Sequence, residues 1–120
     1  MLSSRVCQAR LEGAEMDVMF VLNNRHRPVI TVGHPGWDIR LGDIRASYSI
    51  DGGALIRTEA TSLGRIVTTE IRNPRIERRL RTARVLEWAL PNGRHKVAVT
   101  GLGAALDAIA ACERRHARKR

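Results

Sequence analysis

The chain has 120 residues, 43% of them apolar and 28% charged, which gives one domain enough material for a core and excludes a disordered chain. No apolar run approaches the ~20 residues of a membrane-spanning helix. The formal charge is +9 and only four residues are aromatic, so the chain suits an anionic partner but offers little surface for base stacking.

Residues 6–11 read as a short first strand, ended by Glu12-Gly13. In residues 16–22, Met16, Val18, Phe20 and Leu22 alternate with Asp17, Met19 and Val21, which is the period of a strand. Turn composition over 23–28 leads to a partner strand at 29–32, and Gly33-His34-Pro35-Gly36 breaks it. Residues 37–41 read as a short extended piece. A strand follows at 44–50 with Ala46, Tyr48 and Ile50 on one face. Asp51-Gly52-Gly53 then supplies residues that accept positive φ, as a tight hairpin needs. The Thr-, Ile- and Val-rich stretches 54–60 and 65–71 flank a second turn at 61–64.

The pattern then changes. Asn73-Pro74 reads as an N-cap followed by proline at the first helical position, where its missing N–H costs nothing. Ile76, Leu80 and Ala83 form a narrow apolar stripe, with Arg75, Arg78 and Arg79 off it, so a short helix with a basic wet side is predicted. Residues 85–90 return to strand, with Leu86, Trp88 and Leu90 on one face. Pro91-Asn92-Gly93-Arg94 turns the chain, and 96–100 closes the hairpin with Val97 and Val99. Gly101-Leu102-Gly103 opens a final helix whose apolar face is Leu102, Ala105, Leu106, Ile109 and Cys112, so Cys112 points toward the core.

Strands cluster and do not alternate with helices. The expectation is a mainly β (α+β) chain: an antiparallel β-sandwich or curved sheet of about seven to nine strands, with a short inserted helix and a C-terminal helix docked by Leu102, Leu106 and Ile109. Residues 1–112 make the single domain and 113–120 a basic tail.

The charge sits in two places. Residues 72–84 hold six arginines against one glutamate, and 113–120 hold Arg114, Arg115, Arg118, Lys119 and Arg120 against Glu113, so the remainder is neutral as a set. Such patches attract nucleic acid, anionic lipid or acidic protein, and they also serve simply as a solvated helix face and a solubilising tail. On the first reading Arg75, Arg78, Arg79 and Arg81 contact phosphates and the tail adds counterion release. No helix-turn-helix, zinc-finger or RNP-type motif accompanies them.

Residues 97–106 imitate the start of a dinucleotide-binding unit, a strand running into Gly-x-Gly and a helix. Leu106 stands where the third glycine belongs, and no second strand follows with an acidic residue on its end to hold a ribose, so no cofactor is expected. The small residues are read as letting the helix start sharply and pack close to the sheet. His26, His34, His95 and His116 fall in or beside turns or the tail, none at i, i+4 to another. Neither cysteine is read as having a partner at zinc-ligand spacing, so no metal site is expected. No Gly-x-Ser-x-Gly is present. Asp38 and Asp43 read as loop-solvating carboxylates, and Trp37 and Trp88 as core or edge anchors. No catalytic constellation emerges, and the chain is read as non-enzymatic.

Cys7 and Cys112 lie near opposite ends. They are either two buried, reduced thiols acting as small hydrophobes, or one disulfide tying the first strand to the last helix. A bond closing a loop of about 100 residues contributes ~4–5 kcal/mol by the chain-entropy argument and implies an oxidising compartment. Residues 1–5 do not form a signal peptide, so the chain is cytoplasmic unless a leader precedes it.

From Asn73 onward the order is an arginine-bearing helix, a strand, a Pro-Asn-Gly turn and a strand. It ends in Gly101-Leu102-Gly103-Ala104-Ala105-Leu106-Asp107-Ala108-Ile109 and Cys112. This resembles the C-terminal third of small proteobacterial envelope proteins of the invasion-associated locus B type. The Ile50-Asp51-Gly52 turn and the early Cys7 look like related sandwich proteins. The resemblance implies a β-sandwich with no catalytic residues. The leading expectation is thus a non-enzymatic binding or structural module of the bacterial envelope, stapled by Cys7 and Cys112, and periplasmic or secreted if a leader precedes. The alternative is a cytoplasmic nucleic-acid or acidic-protein binder using residues 72–84 and 113–120.

Overall fold

The alternation of apolar residues becomes a single curled sheet. The computed structural model describes residues 7–12, 16–23 and 25–118. Within them the order is β1 (Ala9–Glu12), β2 (Asp17–Leu22), β3 (Pro28–Gly33), β4 (Gly42–Ile50), β5 (Ile56–Ser62), β6 (Ile66–Glu70), α1 (Pro74–Arg81), β7 (Val85–Leu90), β8 (Gly93–Ala98) and α2 (Leu102–Arg118). The eight strands form one antiparallel sheet in the order β1-β2-β3-β6-β5-β4-β7-β8, curled into a half-barrel. Of the two expected architectures, the curved sheet is the one that forms.

Burial fixes the register. Val18 and Phe20 of β2, Ile30 and Val32 of β3, and Leu86, Trp88 and Leu90 of β7 all turn into the core. So do Ile44, Ala46, Tyr48 and Ile50 of β4. A one-residue slip of β4 would carry that whole set to the outer face, at about 1.5–3 kcal/mol for each large side chain. The helix α2 lays Leu102, Leu106 and Ile109 into the core and packs against α1, β1 and β2. It therefore reaches across to the N-terminal edge of the sheet and does not stay on the β7–β8 hairpin that delivers it.

The helix α1 starts as its sequence dictates. The Asn73 side chain accepts from the Arg75 N–H at 2.9 Å and Pro74 occupies the first turn. Leu80 is buried, and the arginines of the last turn meet the negative end of the helix dipole.

Three connections differ from expectation. Residues 37–41, read as a short extended piece, join no ladder. They form an irregular crossing from β3 to β4, with Trp37 and Ile39 buried and the Ile39 N–H donating to the Gly64 carbonyl at 3.0 Å. The link from β4 to β5 is five residues, 51–55. Its turn does use positive φ at Asp51 (52°) and Gly52 (75°), but strand pairing resumes only at Tyr48 with Ile56. The second turn is tighter than expected: β5 runs on through Ser62, and Leu63 N–H donates to Ile66 O at 2.8 Å around Gly64-Arg65. Gly64 has φ 94°, as the first central position of such a two-residue loop needs.

The helix α2 continues to Arg118, so the segment set apart by its charge is, through residue 118, the last turns of that helix.

Candidate functional site

β5 and β6 are sheet neighbours for only two residue pairs, Thr61 with Thr68 and Ser62 with Val67. β5 nevertheless stays on β4 as far as Tyr48 with Ile56, and β6 stays on β3 as far as Val29 with Glu70. Past Thr61 the two strands part. The Leu63–Ile66 hydrogen bond fixes the alternation of the antiparallel ladder. By that alternation the backbone N–H and C=O groups of Arg57, Glu59 and Glu70 point into the opening, where no ladder partner among the described residues meets them. The Glu59 carbonyl accepts from the Thr58 hydroxyl at 3.2 Å. The result is a cleft of about 710 Å³, inside the ~300–1,000 Å³ range of ordinary ligand sites.

The cleft has an apolar floor and a charged rim. Ile56, Ala60, Ile71 and the α1 residue Ile76 contribute the floor, together with Tyr48. Tyr48 is 2% exposed and its ring lies 4.8 Å from that of Trp88. Burial pushes its phenol up to about 12, while the nearby Arg79 charge pulls the other way. Its hydroxyl makes no hydrogen bond within the described residues. On the rim, Glu70 pairs with Arg27 at 3.3 Å and Arg72 at 3.6 Å. Desolvation alone would raise the Glu70 carboxyl. The hydrogen bonds from Arg27 and Asn23 and the charges of Arg72 and Arg27 together outweigh it and hold the group below its usual value. Of the two carboxylates read as loop-solvating, Asp38 and Asp43, both are exposed and Asp43 lines this cleft. Chemically the site offers main-chain donors and acceptors, one neutral phenol and charges of both signs.

The basic residues are placed on two helices in contact. Arg75, Arg78 and Arg79 are exposed on α1, whereas Arg81 is engaged by Asp107 of α2 at 2.6 Å. Arg114 and Arg115 are exposed on α2, roughly 10–12 Å further along its axis than Asp107 at 1.5 Å per residue. The side chain of Arg118, with Lys119 and Arg120, lies outside the described residues, as does the expected first-strand residue Val6.

Of the two glycines of the dinucleotide-like stretch, Gly101 supplies a positive φ of 88° just before α2, and Gly103 serves packing, but against a helix. A Cβ on Gly103 would come within 2.9 Å of the Arg81 carbonyl, so Gly103 lets α2 approach the end of α1. Both tryptophans are buried, Trp37 with its ring 4.6 Å from that of His95. His95 lies within β8 and bonds Asn92 at 2.8 Å, and His34 Nδ1 accepts from Gly36 N–H at 2.9 Å. His26 is exposed, with φ 59°.

Cys7 and Cys112 stand at disulfide distance, with Cα atoms 5.7 Å apart and a sequence separation of 105. Cys7 is buried and Cys112 half-buried, so the pair fastens α2 to the chain just before β1. His116 belongs to the same cluster: a ring nitrogen lies within 4.8 Å of both sulfurs. This corrects the spacing argument made from sequence. Cys112 and His116 are at i, i+4 on α2, a spacing that places two ligands on one helix face. Treating 113–120 as a tail concealed it.

No protein-family model, no curated protein and no solved structure matches this chain.

Proposed function

We propose that this chain is a non-enzymatic binding module of an oxidising compartment, and that it takes an extended peptide segment into the cleft between β5 and β6. The parted ladder carries the reading. Main-chain groups of Arg57, Glu59 and Glu70 face the opening with no strand opposite among the described residues, and an added strand would satisfy them as in other strand-addition complexes. Ile56, Ile71 and Ile76 are placed to meet alternate side chains of such a segment, and Arg57 and Arg72 to select its charges. The pairing distance of Cys7 and Cys112 supports an extracytoplasmic location, in keeping with the resemblance to small envelope proteins.

The test separates main chain from side chain. A peptide selected from a random library against the wild-type protein is measured against Glu59→Ala and Glu59→Pro. The Ala variant keeps the cleft-facing N–H and is expected to bind within a few-fold of wild type. The Pro variant removes that donor, leaves the β4 side of the ladder intact, and is expected to lose at least about tenfold, which is one hydrogen bond of about 1.4 kcal/mol. Equal binding by both variants sinks the proposal.

A second reading rests on Arg75, Arg78 and Arg79, which are exposed and make no ion pair among the described residues. On it, α1 contacts a polyanion. Filter binding to nucleic acid at low and high salt tests this, because phosphate contacts weaken steeply as salt rises. Affinity unchanged by salt counts against it.

A further inference from the structure

We propose that Cys7, Cys112 and His116 form a three-ligand site for a thiophilic d¹⁰ cation, Zn²⁺ or Cu⁺, whenever the two cysteines are reduced. The three ligand atoms lie within 4.8 Å of one another. Tetrahedral thiolate coordination, with Zn–S bonds of about 2.3 Å, requires sulfurs only about 3.8 Å apart. The two thiols therefore need to separate by a small rotation of side chains, with no rearrangement of α2 or of the segment before β1.

The donor set has the right chemistry. Two thiolates and an imidazole prefer soft or borderline ions to Mg²⁺ or Ca²⁺, which want oxygen. Three protein ligands leave a fourth position open for water or an external ligand in a tetrahedral ion. Placement also favours it. Cys112 and His116 are one helical turn apart on α2, and both are half-buried, which gives an ion a way in from solvent. Cys7 is buried and brings the third ligand from the other end of the chain.

The site and the disulfide are alternatives on the same atoms. Reduction takes two electrons and two protons from a dithiol reductant, which leaves as its own disulfide. Binding the ion then releases the two thiol protons to solvent. Either cross-link closes the same loop, so the ion would replace the disulfide as the fastening of α2.

The experiment uses the full chain, reduced anaerobically with a water-soluble phosphine. Co²⁺ is titrated as a spectroscopic probe and displaced by Zn²⁺, with Cu⁺ measured separately by competition with a chromophoric chelator. One ion per chain is expected, with thiolate-to-cobalt charge-transfer bands and tetrahedral ligand-field bands. The oxidised protein is expected to bind none. Cys112→Ser leaves Cys7 as the one thiolate and should weaken the charge-transfer bands, and His116→Ala should weaken Zn²⁺ by at least about tenfold. Equal Zn²⁺ affinity in wild type and His116→Ala overturns the proposal. Thermal unfolding of the reduced protein with and without Zn²⁺ covers loss of structure on reduction. Wild type should gain more in Tm than His116→Ala, because an ion bound to the native state stabilises it. A reduced wild-type chain that stays unfolded with Zn²⁺ also overturns it.

Discussion

Asp51 and Val85 are joined in both directions. The Asp51 N–H donates to the Val85 carbonyl at 2.9 Å, and Asp51 Oδ1 accepts from the Val85 N–H at 2.9 Å. The same oxygen accepts from Arg84 N–H at 2.8 Å. The β4–β5 turn is thus clamped to the start of β7, just after α1 ends, and α1 supplies one wall of the cleft.

These two backbone hydrogen bonds hold the Asp51 carboxyl below its ordinary value, against a smaller opposing effect of burial and with help from the Arg84 and Arg79 charges. A depressed carboxyl stabilises the fold above its unfolded value of 3.8, and the contribution is lost as pH falls through the lower folded value. Asp51→Asn is expected to keep the turn but to flatten the acid side of a plot of Tm against pH. Asp51→Ala is expected to lower Tm by a few degrees at neutral pH as well. An acid limb of Asp51→Asn that superimposes on wild type would show that the clamp does not depend on charge.

Tyr48 gives the opposite sign at the other end of the pH scale. Its phenol is raised by burial from 10.0 to about 12, so its contribution is complete below 10 and is lost as pH rises through about 12. It is the one tyrosine of the chain, so ultraviolet titration of tyrosinate reads this side chain alone. The native protein is expected to titrate near 12 and the chain in denaturant near 10. A native midpoint near 10 would place the ring in water and remove it from the floor of the cleft.

Thr69 is 2% exposed and its hydroxyl has no hydrogen-bond partner among the described residues. A buried hydroxyl without a partner costs about 1–3 kcal/mol relative to an apolar group of the same shape. Thr69→Val keeps the β-branched shape on β6 and is expected to stabilise the protein by about 1 kcal/mol, measured by urea unfolding. Destabilisation would mean that the hydroxyl is satisfied by water or a ligand.

Cys7 and Cys112 are 105 residues apart in sequence. Closing a loop of that length stabilises by up to about 4–5 kcal/mol through the unfolded chain. The isolated protein is expected to show the mass of two missing hydrogens under non-reducing conditions, and to lose much of its urea resistance on reduction in the presence of a metal chelator. A mass with both hydrogens present would return the pair to the status of two reduced thiols and take away the argument for an oxidising compartment.

Much of this architecture is legible in the sequence because burial alternates cleanly. Ile44, Ala46, Tyr48 and Ile50 point one way in both, as do Leu86, Trp88 and Leu90. Asn73-Pro74 marks the start of α1. The cleft is not legible. Nothing in the Thr- and Ile-rich composition of β5 and β6 says that their ladder ends at Thr61, because its extent depends on how the curled sheet carries each strand toward a different neighbour. The crossing over 37–41 has an alternating pattern but binds its backbone to a turn, so Trp37 and Ile39 are buried while Leu41 stays out. His116 was within reach of the helical period, since Ile109, Cys112 and His116 continue one stripe. Charge composition drew the boundary at residue 113 when the helix does not stop there.

Gly103 sets two physical effects against each other. In the helix α2, alanine in place of glycine gains about 1 kcal/mol of propensity. A Cβ at this position, however, would lie 2.9 Å from the Arg81 carbonyl oxygen and 3.4 Å from the Arg81 Cβ. The nearer neighbour is backbone, so α2 and α1 must move apart, and overpacking of this kind costs about 1–3 kcal/mol. The movement would also stretch the 2.6 Å pair between Arg81 and Asp107. Gly103→Ala is therefore expected to lower stability by about 1 kcal/mol net, while Ala104→Gly, at an exposed neighbouring position, lowers it by a similar amount for the opposite reason. A stabilised Gly103→Ala protein would mean that the two helices are free to separate, and that Gly103 is not what brings α2 against α1.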